Sequence, residues 1–213
     1  MTKDIIILAK STKHYPSYCI AGIDVNTGEW IRPISDDVEK EGAVPPDDII
    51  YEDGTEVNVL DIVRISFIKA FPSNAQPENM LYDDTIYWEK IGETTIEEIA
   101  KNYELNNQNF IFSNTKKDLF ENELPGNSLM LVKIQNPYIV VKTFEKRKIQ
   151  ICFDYNNCHY DYIRVEDTNV VEQYNRCNDG TYYLPNELYA VLSLTDKYYK
   201  TGKYYKMLAH LFW

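Results

Sequence analysis

Two small β-barrels in tandem, with one or two short helices, are the fold class that this 213-residue chain predicts. Three observations lead there. Short apolar runs of period 2 recur along the chain, with turn residues between them at intervals of about 8–12 residues. Helical periodicity is scarce. The runs fall into two groups of roughly five, split by an irregular Asn-rich stretch near residue 110, and roughly five strands suffice to close a small Greek-key barrel.

The elements follow in order. Residues 4–9 (DIIILA) form a first strand, and 10–16 a polar loop. Residues 17–35 hold two period-2 runs around Asn26-Thr27-Gly28, a three-residue turn with Gly where a left-handed residue is needed. The acidic stretch 35–56, with Pro45-Pro46, reads as a long loop, mobile or an interface. Residues 57–71 are an extended run, 72–77 a turn and 85–90 a short strand. Thr94 followed by Glu97 has the spacing of a capping box, so a short helix runs from Thr94 or Thr95 to Lys101. Residues 116–121 are a second short helical candidate. Four strands then succeed one another at 129–134, 138–144, 148–153 and 160–165. Asp167 or Thr168 caps a helix to 176. Strands at 188–194 and 203–213 close the chain. The boundary is placed between 1–110, a barrel with an acidic insertion, and 111–213, a barrel whose final strand packs on the first. Five-stranded barrels of the OB type fit this count. No fixed-period repeat stands out.

The 17–35 hairpin carries the strongest chemical pattern. Pairing across the turn sets Val25 opposite Glu29, Ile23 opposite Ile31 and Gly22 opposite Arg32. One face is then Cys19, Ala21, Ile23, Val25, Ile31 and Pro33, which is apolar. The other holds Tyr18, Gly22, Asp24, Trp30 and Arg32. Trp30 and Arg32 are two apart, so they share a face. A large aromatic beside a planar cation, over a Gly gap, suits a flat ligand such as a base. The alternative is that Trp30 covers a small core and Arg32 pairs with Asp24.

Composition narrows the classes. The longest apolar run at the N-terminus, residues 5–9, has strand length, and no run approaches the 18 or so residues of a membrane span. A cytoplasmic protein is expected. Cys19, Cys152, Cys158 and Cys177 form no CxxC pattern and no metal framework. No phosphate loop, GxGxxG, HExxH or GxSxG motif occurs, so no catalytic residue, metal or cofactor is assigned. Net charge is −11, unevenly placed. Residues 51–100 carry −8 (3 basic, 11 acidic), whereas residues 101–150 carry +3 (8 basic, 5 acidic). A polyanion must therefore approach away from residues 36–98. The open routes are the Lys10/Lys13 loop, the 142–148 turn and the 197–206 hairpin.

Three segments together resemble the prokaryotic dual OB domain family. They are ILAKSTK at 7–13, YCIAGIDVNTGEWIRPIS at 18–35 and YAVLSLTDKYYKTGKYYKMLAHLF at 189–212. The resemblance rests on Ser11 and Lys13, on Cys19, Ala21, Gly22 and Ile23, and on the run Trp30 to Pro33. At the closing end it rests on Ser193 and Leu194, and on Tyr205 and Lys206. It implies two OB-like barrels and a role in binding nucleic acid or a nucleotide, in a bacterial or phage conflict system. With the hairpin pattern it makes Lys10, Ser11, Lys13, Tyr18, Gly22, Trp30, Arg32 and Lys206 the candidate ligand-binding residues. The leading expectation is a non-catalytic module for single-stranded nucleic acid or a nucleotide. The alternatives are an acidic module that meets a basic protein, or mimics nucleic acid, through residues 36–98, and an enzyme acting on nucleotides or nucleic acid.

Overall fold

The computed structural model describes residues 1–103 and 108–213. It is mainly β, 49% strand and 12% helix, with two closed five-stranded barrels and two α-helices. The chain divides into Met1–Glu104 and Leu105–Trp213.

The first unit runs β1 (Thr2–Thr12), β2 (Tyr18–Asp24), β3 (Trp30–Ile34), β4 (Asp61–Ala70), β5 (Asn79–Tyr82), β6 (Glu89–Glu93) and α1 (Ile96–Asn102). Strands pair in the order β1-β2-β3-β5-β4, and β4 returns to β1 to close the barrel. The β3–β5 pair is parallel. β6 lies along β4. Ile5, Ile7, Ile20, Ile31, Val63 and Ile65 fill the interior.

Between β3 and β4 no α-helix covers the barrel. The 35–60 stretch does so, with a 3-10 turn at Pro46–Ile49 and with Val44, Ile49, Tyr51 and Val57 packed into the core. The expected mobile loop or interface is thus a structural plug. Its apolar residues are spaced too irregularly for period counting to register them. Tyr51 donates from its hydroxyl to the buried Asp61 at 2.9 Å, and Lys90 meets the same carboxylate at 2.8 Å. Helix α1 is capped by Thr95 with Glu98, one residue on from the Thr94/Glu97 pair.

The second unit runs β7 (Asp118–Leu119), β8 (Leu129–Thr143), β9 (Arg147–Tyr155), β10 (Cys158–Val165), α2 (Thr168–Asn175), β11 (Gly180–Tyr183), β12 (Glu187–Leu194) and β13 (Tyr204–Phe212). The circuit β8-β9-β10-β13-β12-β8 has the same order as the first barrel, again with one parallel pair, β10–β13. β11 adds to β8, and β7 to β13. The strand partners of β13 are all in this unit. The two strands expected at 129–134 and 138–144 are one strand, β8. Asn136, at φ 48°, takes up an irregularity in the pairing, so Pro137 does not end the strand. The 116–121 segment is the short β7 and part of a 3-10 turn rather than a helix.

Helix α2 packs Val170 and Tyr174 into the core. Asp167 caps it, accepting from the backbone N–H groups of Asn169 and Val170. Its other carboxylate oxygen accepts from the N–H of Leu211 at 2.8 Å and lies 2.9 Å from Nδ1 of His210. Burial works to raise this carboxyl, but His210 and the backbone donors outweigh it and hold it below its ordinary value. No helix among the described residues is long and apolar enough to cross a membrane.

Candidate functional site

The 17–35 hairpin is present, but its register differs by one residue from the expected one. Gly22 pairs with Ile31, and Ile23 with Trp30. The turn causes this. Asp24 donates its N–H to the carbonyl of Glu29, so the connection is longer than Asn26-Thr27-Gly28, with Gly28 at φ 70°. A slip of one residue turns one strand of the hairpin over relative to the other, here β2 relative to β3. Ile20 and Ile31 therefore point into the barrel core, and Ala21 and Ile23 are buried on the opposite side.

Gly22 does not border a ligand gap. A Cβ there would stand 2.1 Å from the carbonyl oxygen of Ile6 and 2.7 Å from Ile5 Cγ2, so the glycine permits close approach of β1. Arg32 does not face an open mouth either. Its side chain is 4% exposed, as is that of Glu78, and the two pair at 3.3 Å. Arg32 Nη1 also donates to Cys19 Sγ at 2.6 Å. The internal ion pair is with Glu78 rather than Asp24, which instead holds Lys3 at 2.5 Å.

The flanking cations are each tied to a carboxylate. Lys10 Nζ lies 2.6 Å from Glu56, with Tyr18's ring centroid 5.0 Å away. Lys13 Nζ lies 3.8 Å from the Glu41 carboxylate and donates to the Glu41 carbonyl at 3.0 Å. Ser11 is buried, and Trp30 is half-buried. The hairpin thus brings Lys10 to Tyr18 and Arg32 to Cys19, while Lys13 is taken by Glu41.

The second barrel offers a different arrangement. A groove of about 370 Å³ opens against the outer face of its third strand. β10 contributes Tyr162 and Arg164, and β9 contributes Gln150. Tyr205 and Met207 of β13 form a second side. The β12–β13 loop adds Thr195 and Tyr198, and Lys117 stands at the rim.

Local backbone chemistry aims these side chains. A bulge between Tyr160 and Ile163 inserts an extra residue into β10, and Tyr162 adopts φ 53°, a region bulky residues avoid. The bulge is held by the Tyr162 N–H donating to Cys152 Sγ at 3.2 Å, and by Gln150 Nε2 donating to the Tyr162 carbonyl at 2.8 Å. Tyr162 is left 43% exposed, with the ammonium of Lys142 5.3 Å from its ring centroid. Arg164 has a side chain 73% exposed and an ion pair with Glu166, whose carboxyl is raised by burial.

Lys206 borders this groove, yet its ammonium is inside. It donates to the carbonyl and the side-chain oxygen of Asn114 at 2.6 and 3.0 Å, and lies 5.2 Å from the Tyr160 ring centroid. Burial pulls it down to about 7. Strand alternation explains the placement: Tyr205 and Met207 point out, so Lys206 points in.

Tyr162 and Arg164 were not singled out from the sequence, although a signal exists. Tyr162-Ile163-Arg164 repeats the aromatic–Ile–Arg order of Trp30-Ile31-Arg32, at the same strand of the second barrel. A tripeptide that recurs once has no period to detect. Among the described residues, no group of three or more His, Cys, Asp or Glu is placed to hold a metal ion.

Two closed five-stranded barrels of identical strand order, one presenting an open third-strand face, define a protein built from paired OB folds. The model of the dual OB-containing domain family matches residues 3–211, and the chain belongs to that family. No curated protein and no solved structure matches it.

Proposed function

We propose that the chain is a non-catalytic binding module that takes single-stranded nucleic acid, or a nucleotide, on the third-strand face of the second barrel. The observation that carries this is the pairing of Tyr162 with the exposed Arg164, with Lys142 over the tyrosine ring, beside a groove closed by the β12–β13 loop. The second and third strands, with the loop between the fourth and fifth, are where OB barrels take oligonucleotides. Aromatic rings supply stacking surface, and Arg supplies a planar fork for phosphate. The acidic 36–98 region supports a protein-docking role less well, because Glu56, Asp61 and Asp48 are already bonded to Lys10, to Tyr51 and Lys90, and to Tyr82.

Fluorescence anisotropy with labelled single strands, duplexes and nucleotides at several salt concentrations tests the reading. Single strands are expected to bind in preference to duplex. Arg164→Ala is expected to weaken them about tenfold and to lower the salt slope by about one. Absence of binding by the parent protein at low salt, or an unchanged affinity in the variant, would overturn it.

A further inference from the structure

Beyond the groove, the outer face of the same barrel continues into a column of aromatic rings. Tyr138 on β8 stacks on His159 of β10, with centroids 6.4 Å apart and planes at 24°. On the other side Tyr138 meets Tyr183 of β11, at 5.8 Å and 49°. Tyr183 is 83% exposed, so most of its ring is open to solvent.

The strand that carries Tyr183 is not part of the five-stranded circuit. β11 pairs only with β8, in the register Tyr183 opposite Tyr138. Its addition places one more ring on this face. Continuity with the groove runs through Cys152. Its Sγ accepts from the N–H of Tyr162, and the Tyr138 hydroxyl bonds to the same thiol. Burial and that contact push the Tyr138 hydroxyl up to about 12.

We infer that the column Tyr183–Tyr138–His159 is a second base-stacking subsite, so that a bound single strand runs out of the groove at Tyr162 and onto β11. The inference rests on the function proposed above and adds the path and length of the ligand. Stacking on aromatic side chains adds affinity base by base whatever the sequence, and an OB barrel covers about 4–16 nucleotides. The groove accounts for the short end of that range, and the column extends it. Two carboxylates edge the column, Asp154 at 2.6 Å and Asp161 at 3.1 Å from the His159 nitrogens. Both are hydrogen-bonded to His159, and Asp154 raises its pKa against the effect of burial.

The test uses the full chain and fluorescein-labelled oligo-dT of about four and about twelve nucleotides. Tyr183→Ala is expected to weaken the twelve-mer about tenfold and leave the four-mer unchanged. Tyr183→Phe, which keeps the ring, is expected to restore the twelve-mer. Arg164→Ala is expected to weaken both lengths. If Tyr183→Ala leaves the twelve-mer unchanged while Arg164→Ala still weakens both, the column is not a subsite and the groove stands. If the parent binds neither length, both readings fall. Because the Tyr183 side chain is largely in solvent, the melting temperature of the variant checks that folding is intact.

Discussion

Trp30-Ile31-Arg32 in the first barrel and Tyr162-Ile163-Arg164 in the second stand at the same place in the third strand. Each Ile fills its own core. Each Arg faces the parallel fifth strand, Arg32 opposite Asn79 and Arg164 opposite Met207. The residues next to them differ. Glu78, just before β5, closes on Arg32 and leaves both side chains 4% exposed. Arg164 also pairs with a carboxylate, that of Glu166, but its side chain stays 73% exposed. The gap between the third and fourth strands differs too: a loop with a 3-10 turn plugs the first barrel, and the capped helix α2 covers the second. The contrast teaches that one strand motif on one topology serves as an internal staple or as a presented surface, depending on whether the arginine's ion pair is buried.

The contrast breaks most visibly at Arg32. Arg32→Ala leaves Glu78 buried without its cation, and loss of one member of such a pair costs about 3–5 kcal/mol. Urea denaturation should show that loss. A melting curve matching the parent would mean that the pair is no staple.

Asp167 is the comparable internal group of the second barrel. Asp167→Ala removes the cap of α2 and strands the N–H of Leu211, an expected loss of about 2–4 kcal/mol. Because its folded pKa is lowered, its contribution is present above about pH 4 and is lost as pH falls through the folded value. Stability measured from pH 6 down to pH 2 should therefore fall less steeply in the variant; parallel curves would show that Asp167 does not titrate as argued.

Gly22→Ala sharpens the reading of the first hairpin. The added Cβ meets the Ile6 carbonyl, and overpacking of this kind costs about 1–3 kcal/mol. A variant as stable as the parent would show that β1 can move away.

The smallest effect on folding is expected at Arg164. Arg164→Ala should change stability by less than about 0.5 kcal/mol, as exposed substitutions do, while weakening single-strand binding about tenfold. Thermal melts beside anisotropy titrations separate the two. A variant that unfolds early and binds normally would make the second barrel a copy of the first.

Period-2 alternation revealed most strands, because one buried face imposes it. Alternation does not register β5 and β11, four residues each, or β7, two residues within the 116–121 helical candidate; the strand expected at 85–90 lies at Glu89–Glu93. At the site, aromatic-plus-Arg two apart on one strand is legible in the first barrel. The burial of Arg32 is not legible, because Glu78 stands 46 positions from it along the chain and their pairing leaves no local pattern.

The sequence by itself determined the all-β class, the double set of strands and, to within a residue, where both helices start, because alternation, turn residues and capping pairs act over a few positions. Which Arg lies in solvent, which way Lys206 points, and whether Gly22 faces a ligand or a carbonyl were decided only by the tertiary structure. Those outcomes depend on register and on contacts between residues dozens of positions apart, and a one-residue change in a turn turns one strand of a hairpin over relative to its partner.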